Sequence, residues 1–393
     1  MQLGEQIMSS RHSKVDHLIE PLVHFRQDIH ANPELAYKEH RTAAKVIEEL
    51  TKLGVDIHPG IGGTGIVASL KVGSSPRTIG LRADMDALPI QEKTGLPYES
   101  CHDGIFHGCG HDGHLTMLLG AAQYLSETRQ FDGTVHFIFQ PAEEGEAGAK
   151  AMIDDGLFRR FPCDRVFGLH NWPDLPAGTV STKPGPIMAA ADKFEIIVKG
   201  KGGHAAMPHK TPDAILAASE LVSQLNTLVA RRIHPTSTAV LSVTQIEGGS
   251  SHNVLPDKVK VVGTVRTFDP DVQDTIETSL RQVTKGVAHA SDTSIDVNYI
   301  RYYPATINNA AAAKDALKIA SKVAKVEEAL HPAFTSEDFG FMLQACEGAY
   351  IWLGQGKKSN EVPLHHPKYD FNDEVISTGI ELHVGLVEHH LAI

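Results

Sequence analysis

The sequence contains few cysteines, and none of them form the pairs that build disulfide frameworks or closed zinc sites. Its four cysteines are Cys101, Cys109, Cys163 and Cys346, and no two of them form a Cys-x-x-Cys pair. This usage favours a reducing compartment, in which a special cysteine acts as a thiolate. A closed structural zinc site normally has paired ligand spacing, so a metal site in this chain is expected to be an open one.

Long apolar runs and an excess of positive charge are absent as well. No apolar stretch approaches the roughly 20 residues of a membrane-spanning helix. Residues 1–14 include Glu5 and other polar residues where a signal peptide needs an apolar core. The net charge of −12 argues against nucleic acid and acidic membrane surfaces as partners. We therefore expect a cytoplasmic protein that binds neither nucleic acids nor membranes.

The order of predicted elements indicates an α/β protein of two domains. Strands and helices alternate through the first half of the 393-residue chain, which predicts a mostly parallel sheet covered by helices. Residues 187–302 instead predict the order βαββαβ, which is a ferredoxin-like arrangement. We expect this segment to be an inserted domain, with residues 1–186 and 303–393 forming the main domain.

A glycine-rich segment at residues 60–65 matches the pattern G-x-G-x-x-G. A dinucleotide site would require a helix directly after it. The residues that follow, 66–72, have the composition of a strand. The segment is therefore predicted to be a hairpin turn.

The most concentrated set of ligand-type residues is the loop at residues 107–114, with the sequence HGCGHDGH. It holds Cys109 and His111 between glycines, which let the backbone approach a ligand closely. The apolar residues after His114 predict a buried helix. A loop rich in ligand types that opens a buried helix suits the floor of a metal site.

Further ligand types follow predicted strands, where open α/β sheets bind their ligands. Asp84 and its neighbour Asp86 follow one strand, the adjacent Glu143 and Glu144 follow the next, and His170 closes a third. Each alone has a plain structural explanation: turn aspartates before a proline, a solvated acidic turn, or a satisfied core histidine. Together with the loop they supply too many N, O and S ligands for one tetrahedral centre. This predicts a site for two divalent ions, which suits hydrolysis.

These residues lie in segments that resemble the amidohydrolase branch of the M20 metallopeptidases, over nearly the whole chain and in family order. The matching segments are 80–89 (GLRADMDALP), 107–114 (HGCGHDGH), 139–145 (FQPAEEG), 168–171 (GLHN), 202–205 (GGHA), 251–256 (SHNVLP), 335–339 (TSEDF) and 364–367 (LHHP). The resemblance implies that the main domain is a catalytic domain with two metal ions and that the insert is a lid and dimerisation domain.

The resemblance also implies a role for each site residue. The implied metal ligands are Cys109, His111, Glu144, His170 and His365. Cys109 would bridge the two ions, and the pattern Leu-His-x-Pro selects His365 over His366. Glu143 would be the general base and acid, and Asp84 would orient a ligand by hydrogen bonding. From the insert, His204 would stabilise the oxyanion across a dimer interface, and Asn253 and Arg266 would hold the substrate carboxylate.

The expected activity is hydrolysis of the amide bond of an N-acyl amino acid, such as an N-benzoyl one, to a carboxylic acid and a free amino acid. The ligand types are compatible with Zn, Mn, Ni or Co. Two alternatives stay open: the same chemistry in an N-acetyl-diaminopimelate-type deacylase or a dipeptidase, and a non-catalytic metal-binding homologue. The expected partners are a small-molecule substrate and a second copy of the chain.

Overall fold

The computed structural model describes residues 2–329, 331–356 and 362–393. These residues form two compact units. The first comprises residues 1–187, 307–331 and 338–393, and the second comprises residues 188–306 and 332–337. The second unit therefore extends four residues beyond the expected 302 and includes a short later segment. That the units act as catalytic and lid domains stays a prediction.

The strands and helices alternate along the chain. The strands are β1 (Asp56–Ile61), β2 (Gly65–Val72), β3 (Thr78–Asp84), β4 (Gly133–Gln140), β5 (Arg165–Pro176), β6 (Thr179–Thr182), β7 (Gly185–Met188), β8 (Ala190–Lys199), β9 (Gly203–His204), β10 (Ala239–Glu247), β11 (Val254–Leu255), β12 (Lys258–Thr267), β13 (Ser294–Tyr303), β14 (Thr306–Asn308), β15 (Lys325–Glu328) and β16 (Gly348–Gly356). The α-helices are α1 (Gln2–Ala31), α2 (His40–Lys52), α3 (His111–Thr128), α4 (Glu143–Glu146), α5 (Gly148–Asp154), α6 (Leu157–Arg160), α7 (Ala214–Leu225), α8 (Leu228–Arg232), α9 (Pro270–Ser291), α10 (Ala310–Ala320), α11 (Phe339–Ala345) and α12 (Ile376–His390).

The first unit is built on an eight-stranded sheet in the order β1-β2-β4-β3-β5-β16-β6-β15. Its central pairs β4–β3, β3–β5 and β5–β16 are parallel, as is β6–β15, whereas β1–β2, β2–β4 and β16–β6 are antiparallel. The α/β class with a mostly parallel sheet is thus confirmed. The central strand β3 is buried from Ile79 to Asp84, because helices cover it, and α3 is buried along nearly its whole length.

The second unit has the predicted βαββαβ order. Its antiparallel sheet runs β10-β12-β8-β13, and its own hydrophobic core lies between the sheet and helices α7 and α9. The sequence of residues 212–232 predicts one long helix, but the structure has two helices there, α7 and α8, separated near Asn226 and Thr227. The Asn226 amide side chain bonds back to the carbonyl of Val222, and the Thr227 hydroxyl bonds back to that of Gln224. Such local hydrogen bonds compete with helical ones, which accounts for the break.

Several local predictions can be compared directly. Residues 60–65 connect β1 and β2 as an antiparallel hairpin with Gly62 and Gly63 at positive φ, so the hairpin prediction is confirmed. The strand expected to end at His170 continues to Pro176, because pairing with β16 continues to that residue. Among the helices of the described residues, none is long and apolar enough to cross a membrane.

Candidate metal and catalytic site

The predicted ligands of the first unit come together at the ends of β3 and β4, within β5, and at the start of α3. Among the described residues, potential ligand atoms lie within 4.8 Å of one another in three groups formed by the predicted ligands and Glu143: Cys109–His111–His170, Cys109–Glu144–His365 and His111–Glu143–Glu144. Two further groups include His111 or Glu143, and they are Asp84–His111–His114 and Glu143–Glu337–Asp338. Cys109 belongs to the first two groups. Its sulfur is therefore close to the ligand atoms of His111 and His170 and also to those of Glu144 and His365.

Gly110, which directly precedes α3, shapes the loop at residues 107–114. Gly110 has φ 88°, and a Cβ at this position would lie 2.4 Å from the side-chain oxygen of Asn171. Only glycine fits that approach without displacing its neighbour. The α-helix begins at His111, so His111 and Cys109 leave the loop on either side of this glycine.

Hydrogen bonds fix which histidine nitrogens remain available. His170 Nδ1 lies 2.7 Å from the carbonyl oxygen of Asn171, so it donates there, and Nε2 faces the Cys109 sulfur at 3.5 Å. His114 has neither nitrogen free: Nδ1 lies 2.6 Å from an Asp84 oxygen, and Nε2 contacts both the backbone N–H of Asn171, at 3.0 Å, and the side-chain oxygen of Asn171. His114 therefore orients its neighbours, although it lies within ligand distance of Asp84 and His111.

His111 is surrounded by carboxylates. Its Nδ1 lies 3.3 Å from Asp86 Oδ1, and its Nε2 lies 3.7 Å from Asp84 Oδ2 and 3.9 Å from Glu144 Oε1. Burial by itself lowers the pKa of His111, but Asp84, Asp86 and Glu144 outweigh it and raise the pKa to about 10. The site therefore attracts positive charge strongly.

The Cys109 thiol responds in the opposite way. Burial, reinforced by the negative charges of Glu144, Glu143 and Asp84, raises the pKa of Cys109 well above its ordinary value. A thiolate at this position therefore needs a compensating cation. The electrostatics of the cysteine and of His111 both favour cations at the centre of the cluster.

Asp84 is held by a buried charge network. The Arg82 guanidinium donates to Asp84 at 2.7 Å and to Asp338 at 3.1 Å, and all three side chains are buried. Although burial alone would raise it, the charges of His111 and Arg82 hold the pKa of Asp84 well below its usual range. Asp84 stays ionised there, next to His111.

His365 and His366 are separated by their contacts. His365 lies at φ 63°, its N–H donates to the Gly108 carbonyl at 2.8 Å, and its Nε2 lies 3.2 Å from Glu144 Oε1. The His366 Nδ1 instead accepts the backbone N–H of Lys368. Of the two, His365 is the one that the structure brings to the cluster.

Glu143 and Glu144 occupy the first turn after β4, and their neighbours hold them in different ways. Glu143 is buried, and its Oε1 accepts the backbone N–H of Asp338 at 3.3 Å. Asp86 accepts the backbone N–H groups of both glutamates, at 3.0 and 2.9 Å. Sequence reasoning considered Asp86 but assigned a role only to Asp84, and it assigned none to Asp338.

The candidate residues of the second unit lie on two of its elements. His204 in β9 pairs with Val254 in β11, next to Asn253, whose carbonyl oxygen accepts the N–H of Ala205. His204 Nδ1 accepts the N–H of Ala206 at 3.1 Å, which leaves its Nε2–H as the free donor. Asn253 Oδ1 accepts the Ser251 hydroxyl at 2.7 Å, which leaves its NH2 as a donor.

Arg266 lies on β12 of the four-stranded sheet. Its guanidinium donates to the Thr264 hydroxyl and the Val265 carbonyl. Burial lowers the pKa of Arg266, and the negative charge of Asp192 partly offsets this effect. An arginine whose own hydrogen bonds go to neutral groups keeps N–H donors that can bind an anionic ligand.

The geometry can be compared with known proteins. A model of peptidase family M20/M25/M40 matches residues 80–389. Hippurate hydrolase of Campylobacter jejuni is 41% identical over 373 residues, covering 93% of this chain and 95% of that protein. Among solved structures, a putative aminohydrolase from methicillin-resistant Staphylococcus aureus has a TM-score of 0.92 at 32% identity, covering 98% and 100% of the two chains. The YXEP protein of Bacillus subtilis, a dinuclear metal binding peptidase from the M20 family, has a TM-score of 0.83 at 34% identity, covering 95% and 99%.

Proposed function

This chain belongs to peptidase family M20/M25/M40 and is a metal-dependent amidohydrolase, and from that premise we propose that it hydrolyses N-acyl amino acids to a carboxylic acid and a free amino acid. An N-acyl or N-aroyl glycine such as hippurate is the representative substrate, since hippurate hydrolase is similar over nearly the whole chain. The observation that carries the proposal is the shared position of Cys109 between two groups of ligand atoms.

The cluster fits two divalent ions by its donor set and by its unsatisfied atoms. Both His111 nitrogens and Glu144 Oε1 are buried and form no well-oriented hydrogen bond among the described residues, although Asp86 Oδ1 lies 3.3 Å from His111 Nδ1 and His365 Nε2 lies 3.2 Å from Glu144 Oε1. Such atoms are rare in folded proteins unless an ion or water satisfies them. Cys109 would be the shared ligand, and His111, His170, Glu144 and His365 would complete the two sites. Thiolate, imidazole and carboxylate ligands suit Zn, Mn, Ni or Co.

Bound divalent ions supply Lewis-acid activation of water and of the scissile carbonyl. The chain itself supplies the proton transfers. Glu143 Oε2 would take a proton from the attacking water and return it to the leaving nitrogen, while Oε1 stays on the Asp338 N–H. The free Nε2–H of His204 would stabilise the developing oxyanion. Asn253 and Arg266 would bind the substrate carboxylate.

The experiment is hydrolysis across a panel of N-benzoyl and N-acetyl amino acids and dipeptides, after chelation and reconstitution with single metals. Release of the amino acid from the N-acyl compounds supports the proposal. Cleavage of dipeptides alone would replace it with a dipeptidase, and bound metal without any hydrolysis would indicate a non-catalytic homologue. Glu143→Gln should retain the metals and lose at least about a hundredfold in rate, and near-normal turnover would contradict the assignment.

We also propose a cytoplasmic homodimer in which His204 acts on the site of the partner copy. Sedimentation of the purified protein tests the dimer. Mixed dimers of Glu143→Gln and His204→Ala test the sharing, since one of their two sites would hold both intact residues. Recovery of activity on mixing two inactive variants supports His204 acting in trans, and no recovery from exchanging dimers contradicts it.

A further inference from the structure

The turn that carries Glu143 and Glu144 has an unusual backbone. Ala142 lies at φ 55° and Ala147 at φ 54°, and between them Gly145 lies at φ 86°. The left-handed conformation costs an L-residue other than glycine about 1–2 kcal/mol. Two alanines in this conformation around one short turn require contacts that hold them there.

Two buried carboxylates hold three consecutive amides of this turn. Asp86 accepts the N–H groups of Glu143 and Glu144 through its two oxygens, at 3.0 and 2.9 Å. Glu39 Oε1 accepts the N–H of Ala142 at 2.9 Å. Glu39 is fully buried and lies about one hundred positions earlier in the chain, in the segment before α2.

The same segment contacts the other end of the turn. Tyr37 donates its hydroxyl to the carbonyl of Glu146 at 2.9 Å and its backbone N–H to Glu39 Oε1 at 3.0 Å. The Thr64 hydroxyl donates to Glu39 Oε2 at 2.5 Å. Glu39 is therefore fixed by two neighbours and fixes the turn in its place.

The Glu39 side chain hydrogen-bonds to the turn and not to the helix that follows it. Glu39 is the residue before α2, where a side chain would ordinarily cap the helix, yet its side chain makes no capping bond. Glu34 supplies that function instead, accepting the N–H groups of Arg41 and Thr42 at 3.0 and 2.8 Å. Burial raises the pKa of Glu39, and its donors partly offset the effect. Its three contacts, with Tyr37, Thr64 and Ala142, compensate for a buried acid.

We propose that Glu39 is a positioning residue for the reaction, which sets the direction of the Glu143 carboxylate by holding the N–H of Ala142. The inference rests on the proposed role of Glu143 as general base. The Glu39 side chain hydrogen-bonds to Tyr37, Thr64 and Ala142, and none of these is a proposed metal ligand. Its effect passes through one backbone amide directly before the base.

The hydrogen-bond pattern gives different expectations for different substitutions. In Glu39→Gln, the amide oxygen can take the place of Oε1 and accept from Tyr37 and Ala142, and its NH2 can donate to the Thr64 hydroxyl, which can also accept. Glu39→Ala removes the acceptor from Ala142. Glu39→Asp keeps the charge but withdraws the acceptor by one methylene group.

The test compares these variants as full-length, metal-reconstituted enzymes on an N-acyl amino acid. We expect Glu39→Ala to lower kcat about ten- to a hundredfold, which is the scale for a catalytic group displaced by about 1 Å. KM and metal content should stay near wild type, and Glu39→Gln should restore kcat to within about threefold of wild type. Glu39→Asp should fall between them, and it replaces Glu39→Ala if that variant does not fold. Glu34→Ala is the matched control, since it frees two backbone amides of the same region without contacting the turn.

A second readout does not depend on activity. Hydrogen exchange of the 142–147 amides should accelerate in Glu39→Ala and stay near wild type in Glu39→Gln and Glu34→Ala. If the wild-type protein hydrolyses nothing on the panel, the proposed function fails, but hydrogen exchange still tests whether Glu39 holds the turn. Unchanged kcat or unchanged exchange in Glu39→Ala and Glu39→Asp would overturn the inference. So would a Glu39→Gln variant as defective as Glu39→Ala, or equal losses of kcat in Glu34→Ala.

Discussion

Asp86 holds the proposed catalytic turn through two backbone amides, so an isosteric change at this residue should disturb the turn. Its Oδ1 accepts the N–H of Glu143 and lies 3.3 Å from His111 Nδ1, and its Oδ2 accepts the N–H of Glu144. In Asp86→Asn one oxygen becomes an NH2 group. Whichever way the side-chain amide is oriented, its NH2 group faces the backbone N–H of either Glu143 or Glu144. Two donors cannot form a hydrogen bond, so one bond is lost.

The magnitude follows from the bonds lost. A hydrogen bond to a charged group contributes about 1.5–3 kcal/mol, and removing it here also leaves a buried donor unsatisfied. If about 2 kcal/mol of this appears in the barrier, kcat falls about thirtyfold. Glu39→Gln should not show this loss, because its donors let a single oxygen serve both amides. The contrast separates hydrogen-bond geometry from loss of charge.

The assay is steady-state hydrolysis of an N-acyl amino acid, with metal content measured on the same samples. Asp132→Asn is the matched control: Asp132 also holds two backbone amides, those of Ser74 and Ser75 at 2.8 Å, but through one oxygen. It should keep wild-type kcat. An Asp86→Asn enzyme with full metal content and kcat within about threefold of wild type would refute the reasoning.

Four further predictions concern stability and metal binding. Gly113→Ala should lower the free energy of unfolding, measured by thermal denaturation, by about 2 kcal/mol. The new Cβ would lie 2.3 Å from the buried Phe371 ring, and this overpacking outweighs the gain in helix propensity. Phe371→Leu in the same chain should restore part of the loss. Gly286→Ala, with open space around it in α9, should instead stabilise by about 0.5–1 kcal/mol. Burial lowers the pKa of His383 to about 3, so the unfolded chain takes up a proton below pH 6.5 that the folded chain does not. Stability should therefore fall as the pH drops from 6.5 towards 3. His383→Leu should make Tm decline less steeply over this range. Chelation should abolish hydrolysis and lower Tm, and single divalent ions should restore both, whereas activity that survives metal removal would contradict the proposed centre.

The fold class could be predicted because it depends on patterns within single elements. Alternation of buried strands and helices identified the main sheet, and the βαββαβ order identified the second unit. Elements that depend on distant pairing were missed. The alanine-rich sequence of residues 309–325 predicts one helix, but α10 ends at Ala320, and Lys325–Glu328 form β15 at the edge of the sheet. The sequence of β15 is polar and short, so its strand conformation comes from pairing with β6 rather than from local preference.

Some residues of the site could be predicted from local sequence, and others could not. Cys109, His111, Glu143 and Glu144 stand out in the sequence because ligand types there occur in dense motifs. Glu39 has no such local signal, since it acts on a backbone amide about a hundred residues away. A buried acid followed by helical spacing is indistinguishable in sequence from an ordinary residue at a helix start. Its function depends on which amide lies opposite, and that is a property of the tertiary structure.

Electrostatic interactions link the turn to the proposed metal ligands. Glu39 and Asp86 are buried acids that hold the backbone beneath Glu143 and Glu144, so the support for the two glutamates adds to their negative charge. The charge of Asp86 also raises the pKa of Glu39, and that of Asp86 and Glu144 raises the pKa of His111. Holding the turn with carboxylates is therefore costly without cations and becomes favourable with them. Divalent ions at the cluster would offset the repulsion that the supporting acids create, which would couple the geometry of Glu143, the proposed general base, to occupancy of the proposed metal centre.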